Sequence, residues 1–178
     1  MVYAKSDVNK TIIAVLAFLA LLFCSCRATY VDHFEYCRRD FCARVSGVVD
    51  GVEIDTVVRY CPAKTENGES AVIMTVAFSS PESLDGLVAT LYSDGKSAVR
   101  LGDYIDNSGS FDGLLLPFRL LCPLENYSSI NIKGGDTEII FTDSGKEVSY
   151  LFDADGKLYR INGEADGRTL ELEVSFES

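Results

Sequence analysis

Five residue pairs, Asp50-Gly51, Asp94-Gly95, Ser144-Gly145, Asp155-Gly156 and Asp166-Gly167, each lie between apolar or alternating runs. Each pair tolerates the positive φ of tight hairpin turns: glycine has no Cβ, and a short polar side chain can hydrogen-bond its own backbone. Five such turns argue for antiparallel strands joined by short loops. The runs TEIIFT, EVSYLF, KLYRIN and TLELEVSF at the end of the chain read as a meander. In the last of them Leu170, Leu172, Val174 and Phe176 alternate with Glu171, Glu173, Ser175 and Glu177, which gives one buried face and one wet face. Earlier strands are predicted at 41–49, 52–60, 70–79, 87–92 and 97–102, for about nine in all.

The stretch AVIMTVAF, residues 71–78, is apolar on both faces, so a covering element is expected on each side of it. Two segments qualify. Between Thr29 and Cys42 the residues Tyr30, Phe34, Cys37 and Phe41 recur at three- and four-residue steps, which predicts an amphipathic helix. Between Asp112 and Leu124, Leu114, Phe118 and Leu121 would share a helical face after an Asp112 cap, with Pro117 kinking that helix or starting a second one. Ser80-Pro81-Glu82 signals one further short helical turn.

The N-terminal region carries a different signal. Thr11 to Phe23 is a run of 13 residues without a charge, preceded by Lys5 and Lys10. A membrane-spanning helix needs about 20 apolar residues, whereas about 7 to 15 is the length of a signal-peptide core. Residues 1–25 are therefore read as a targeting segment and 26–178 as a single β-rich domain. Cys26, preceded by the small Ser25, resembles the cysteine of a bacterial lipobox, although Phe23 and Cys24 depart from the usual pattern. This reading puts an acyl-bearing diacylglycerol, with palmitate-type chains, on the Cys26 sulfur. Cleavage before Thr29 with plain secretion, or an uncleaved anchor, are the alternatives.

The formal charge is −11, and loss of Lys5, Lys10 and Asp7 with the leader would make it −12. Such a domain is a poor candidate for nucleic acid, where Lys and Arg supply affinity by displacing counterions. It is also repelled by anionic headgroups, so a lipid anchor rather than a charged surface is expected to hold it at the membrane. Cys37, Cys42, Cys61 and Cys122 follow Cys26, an even number that favours disulfides outside the cytoplasm. The Asp50-Gly51 turn sets Cys42 opposite Arg59, and one β-bulge would bring Cys61 opposite Cys42, leaving Cys37 for Cys122. Other pairings stay open. His33, Cys37, Cys42 and Cys61 are metal-ligand types but lack strong zinc spacing, so neither a metal nor another cofactor is expected.

The order of parts resembles that of the LolA/LolB and LppX-like lipoprotein carriers and related small bacterial lipoproteins: a lipoprotein-type leader, an N-terminal helix, a long strand, "FSSPESLDGL", "LLLPFRLL" and a meander containing "FDADGKLYRI". The resemblance implies an α+β, mainly β fold, a strongly curved antiparallel half-barrel with helices on its concave face. It also implies an apolar cavity lined by side chains such as Met74, Val76, Phe78, Leu115, Phe118 and Leu121. A core filled by those same side chains is the competing reading, because each one buried contributes roughly 1.5 to 3 kcal/mol that an open cavity forgoes.

The catalytic inventory is thin. His33 is the only histidine, and no Gly-x-Ser-x-Gly elbow, phosphate loop or His-Glu-x-x-His motif occurs. A non-enzymatic module is therefore expected, attached outside the cytoplasm to the bacterial cell membrane. It would bind a lipid or other apolar ligand, or meet a protein partner at the cell surface. The alternatives are a secreted domain that binds a partner without a small ligand and, more remotely, a hydrolase built on paired carboxylates.

Overall fold

A computed structural model describes residues 32–62, 70–123, 127–143 and 146–177; residues 1–31, with the leader and Cys26, and the Ser144-Gly145 pair lie outside these. Eleven strands form one sheet: β1 (Phe41–Val49), β2 (Val52–Tyr60), β3 (Val72–Ser80), β4 (Leu87–Tyr92), β5 (Ser97–Leu101), β6 (Tyr104–Asp106), β7 (Ser129–Lys133), β8 (Asp136–Asp143), β9 (Lys146–Phe152), β10 (Leu158–Ala165) and β11 (Arg168–Phe176). Their spatial order is β6-β5-β4-β3-β2-β1-β11-β10-β9-β8-β7, so all consecutive strands are sheet neighbours except β6 and β7, which stand at the two edges among the described residues, and the first and last strands, β1 and β11, pair at the centre. All pairings are antiparallel. The sheet is curved and unclosed.

The turns explain this order. Asp50 and Gly51 both have positive φ, as do Asp166 and Gly167, which matches the twist of two-residue hairpins. At Asp94-Gly95 and Asp155-Gly156 only the glycine is left-handed, and longer turns close through Tyr92 N donating to Lys96 O and Asp153 N to Lys157 O. The nine expected strands are present. The two additional ones are β6, only three residues long, and β7, whose Ile130 and Ile132 carry a faint alternation.

One face of the sheet is apolar from end to end: Ala43, Val45, Ile54, Val58, Met74, Val76, Phe78, Ile139, Tyr150, Ile161, Leu170 and Leu172 are all buried on it. Among the described residues no second layer covers the opposite face of β3, where Ile73, Thr75 and Ala77 are only partly buried, in contrast to the cover expected on each side. Within the sheet Val57, Ala77 and Val88 lie side by side and shield one another.

Helix α1 (Asp112–Arg119) covers part of the concave face and buries Leu115, Pro117 and Phe118. It begins one residue earlier than a cap at Asp112 would place it. Phe111 occupies the N-cap position, and the Asp112 carboxylate instead accepts a hydrogen bond from the Ser97 hydroxyl of β5. Pro117 sits inside the helix, which ends two residues later. The helix expected at 29–42 is replaced by a strap, residues 32–40, with one 3₁₀ turn at Glu35–Arg38; β1 begins already at Phe41. The three- and four-residue spacing has another cause here. Phe34 meets the rings of Phe141, Tyr150 and Phe152 at 5.7, 5.5 and 5.3 Å, and Tyr36 meets Phe41 and Phe176 at 5.6 and 5.1 Å. The Ser80-Pro81-Glu82 signal becomes a 3₁₀ turn at Glu82–Leu84 that follows Pro81, without a Ser80 cap.

Two glycines inside strands let neighbouring backbones approach closely. Gly47 in β1 has φ +146°, and a Cβ there would stand 2.0 Å from Glu171 O; Gly163 in β10 has φ +140°, and its Cβ would stand 2.1 Å from Glu147 O. They face Leu172 and Leu170 from either side of β11, where the sheet bends. Gly47→Ala is therefore expected to destabilise the fold by about 2 to 4 kcal/mol in urea unfolding. Gly51→Asn, in an open turn that asparagine tolerates, should cost less than about 1 kcal/mol. Equal costs would mean that the bend does not depend on Gly47.

Candidate functional site

The pairing register gives the half-barrel two distinct ends. At one end lie the hairpin turns after Val49 and before Arg168; at the other, Phe41 stacks on Tyr60 at 5.0 Å and packs against Phe176. Helix α1 runs between these ends over the concave face. Its first turn reaches the hairpin end, and Leu121, just beyond its last turn, accepts a hydrogen bond from the Tyr36 hydroxyl at the aromatic end.

At the hairpin end an apolar cleft of about 290 Å³ separates α1 from the sheet. Its walls are Val49, Ile54 and Phe78 from the sheet, Leu84 from the 3₁₀ turn, and Leu114 and Phe118 from α1. Phe118 meets Phe78 edge-on at 5.7 Å and closes the floor. Asp50 and Arg168 stand at the rim. Their charged groups are 3.7 Å apart, too long for a hydrogen bond, while the Asp50 carboxylate accepts one from Thr169 N at 2.9 Å. The Arg168 guanidinium lies over Gly113, where a Cβ would come within 2.9 Å of it. A larger depression of about 820 Å³ on the outer face, beside Gly47 and Gly163, is lined by Arg160, Glu164, Glu171 and Glu173 and lies open to solvent. Charged groups make up much of its wall, in contrast to the mainly apolar lining of the cleft.

Of the six side chains expected to line a cavity, Met74, Val76, Leu115 and Leu121 are packed into the core, at 2% exposure or less. Only Phe78 and Phe118 also border the cleft. The hollow of the sheet is thus largely filled by α1, and the space that remains is at one end. Neither the spacing nor the resemblance marks Leu84, Leu114, Asp50 and Arg168 as lining residues. Leu84 lies in the Pro81-to-Leu87 stretch that carried the resemblance, and Leu114 was placed on the helix's apolar face, but the part played by Arg168 depends on a turn from the far end of the chain.

At the aromatic end the strap brings Cys37 to Cys122. The Cys37 thiol donates to Leu121 O at 3.6 Å and is in hydrogen-bond contact with the Cys122 thiol. That contact, helped by Tyr36 and opposed by burial, holds Cys37 below the usual thiol range, and it pushes Cys122 upward together with burial. Burial, with the neighbouring thiols, pushes Tyr60 up to about 12. No disulfide joins any of the four described cysteines in this structure. The bulge that would set Cys61 opposite Cys42 is absent, since β1 and β2 pair without a break from Phe41/Tyr60 to Val49/Val52. Cys42 instead contacts Glu177 and Arg59. Among the described residues no three His, Cys, Asp or Glu side chains converge to hold a metal.

Solved structures similar to this chain include an outer membrane lipoprotein-sorting protein domain from Vibrio parahaemolyticus, at 12% identity and a TM-score of 0.43 over 82% of this chain and 88% of that one. A DUF1329 family protein from Desulfovibrio piger is similar at 10% identity and a TM-score of 0.44, over 81% and 86% of the two chains. No family model and no curated protein matches the chain.

His33, in the strap, lies 4.8 Å from the Phe152 ring with its Nδ1 buried and without a hydrogen-bond partner. Burial holds its imidazole below the ordinary 6.5, partly offset by Asp32. The unfolded chain therefore binds this proton at a higher pH than the native one, so the stabilisation is complete above about 6.5 and is lost as pH falls below it. The carboxylates held low by partners, Asp55 through Arg44 and Asp94 through Lys96, lose their stabilisation in a lower window. Melting temperature should fall between about pH 7 and about pH 5, and His33→Phe should flatten that fall. An unchanged pH dependence in the variant would show that the strap histidine is not responsible.

Proposed function

We propose that this chain is an extracytoplasmic module, tethered through Cys26, that holds a single slender apolar chain in the cleft between α1 and the hairpin end of the sheet. The cleft itself carries this reading. At about 290 Å³ it lies at the lower end of the roughly 300 to 1,000 Å³ typical of small-molecule sites, which suits one acyl-like chain rather than a lipid with several. Its walls are almost wholly aliphatic and aromatic, and its only titratable lining groups, Asp50 and Arg168, stand at the rim, an arrangement suited to binding rather than catalysis. The proposed attachment is the lipidated Cys26, which follows the 13-residue uncharged run Thr11 to Phe23.

A fluorescent single-chain fatty acid should bind the purified protein and be displaced by palmitate. Leu114→Glu, which puts a charge on the cleft wall, should weaken binding at least about tenfold, since an unpaired charge in an apolar site costs well over 1.4 kcal/mol. No binding by the wild type, or equal binding by the variant, would remove the ligand reading. Fatty-acid labelling in cells of the wild type but not of Cys26→Ala is the expected outcome for the tether.

A protein-partner reading is favoured by the sheet edge. On β7, Ile130 and Ile132 are 41% and 76% exposed, and they face the concave side opposite the buried Ile139 and Thr137. Such an edge suits strand addition by a partner. Crosslinking in cells should then recover one dominant partner with the wild type and lose it with Ile132→Lys; recovery of only abundant bystanders would dismiss this reading.

A further inference from the structure

We infer that Cys37 and Cys122 form a disulfide that latches the strap to the segment following α1 and seals the aromatic end of the half-barrel. The two residues are far apart in sequence but meet in space, with their thiols in hydrogen-bond contact. Both backbones are already positioned. The Tyr36 hydroxyl and the Cys37 thiol both donate to Leu121 O, beside Cys122, and Leu121 is fully buried. Among the described residues the strap has little else that is covalent or ionic to hold it. Its ion pairs, Arg38 with Asp32 and Arg39 with Glu35, are internal to the strap and place largely exposed guanidinium groups in water, where such pairs contribute little.

Bond formation removes the two thiol hydrogens as two protons and two electrons, so an oxidant is required, and a disulfide-exchange partner, a protein or small-molecule disulfide, supplies that role. Cys37 attacks one sulfur of the partner's disulfide as the thiolate and releases the other as a thiol, which takes up a proton. Cys122 then loses its proton and attacks the Cys37 sulfur of the mixed disulfide, releasing the second thiol. The partner leaves reduced and the latch is closed. Cys37, held below the usual thiol range, ionises more readily than Cys122 and fits the attacking role. The consequence is directional: a closed aromatic end leaves the hairpin-end cleft as the way into the concave face.

The test uses the full chain purified without reductant from an oxidising compartment. Digestion under alkylating, non-reducing conditions should give a linked peptide containing Cys37 and Cys122. Reduction should lower the melting temperature of the wild type by roughly 5 to 15 °C and leave Cys37→Ser/Cys122→Ser unaffected by reductant. Full alkylation of both thiols before reduction, or a linked peptide joining either residue to Cys42 or Cys61 instead, would overturn the inference. Should the double variant fail to fold, peptide mapping of the wild type decides the matter alone.

Discussion

The structure depends on covering one continuous apolar face on a sheet that does not close. A closed barrel would bury such a face against itself; here the edges β6 and β7 never pair. Two pieces of chain of very different character do the covering. Helix α1 inserts Leu115 and Phe118, followed by Leu121, and each contributes roughly 1.5 to 3 kcal/mol on burial. The strap contributes rings: Phe34 sits edge-on to three aromatic side chains, contacts that add about 0.5 to 1.5 kcal/mol per pair beyond the area they bury. These terms outweigh the strap's exposed ion pairs and explain why a segment with one short turn of helix stays in place.

That arrangement makes the two ends of the half-barrel unequal. The aromatic end is filled by Tyr36, Phe41, Tyr60 and Phe176 together with the thiol pair. The hairpin end receives only the first turn of α1, where Gly113 carries no side chain and the Arg168 guanidinium lies over it. Space is left where the helix is thinnest. The cleft at one end and the approach of Cys37 to the segment holding Cys122 at the other are thus two results of how one short helix lies across one curved sheet.

Much of the strand framework was legible from the chain alone. Aspartate-glycine turns and strict alternation, as in Leu170 to Phe176, are local signals, and the strands they predicted appear at 41–49 and 52–60 with the same bounds. The misplaced helix at 29–42 is instructive because Phe34 and Cys37 do both turn inward, but toward different elements: Phe34 meets Phe141, Tyr150 and Phe152 on β8 and β9, and Cys37 meets Leu121 beyond α1. Periodicity reports a shared direction, and a strap over a curved surface produces it as well as a helix does. The bend at Gly47 and Gly163 was invisible for a related reason, since only the approach of Glu171 O and Glu147 O shows why a side chain is excluded there.

By itself the amino-acid order determined the antiparallel strands, their turns, the face each buries and the acidic surface, because these follow from the conformational preferences of adjacent residues and from alternation over a few positions. Tertiary structure alone decided that the hollow is mostly full, that Arg168 and Leu114 border the space that remains, and that Cys42 does not face Cys61. These are contacts between segments far apart in the chain, set by sheet curvature and by the room one helix leaves beneath it, and no local pattern encodes how much room that is.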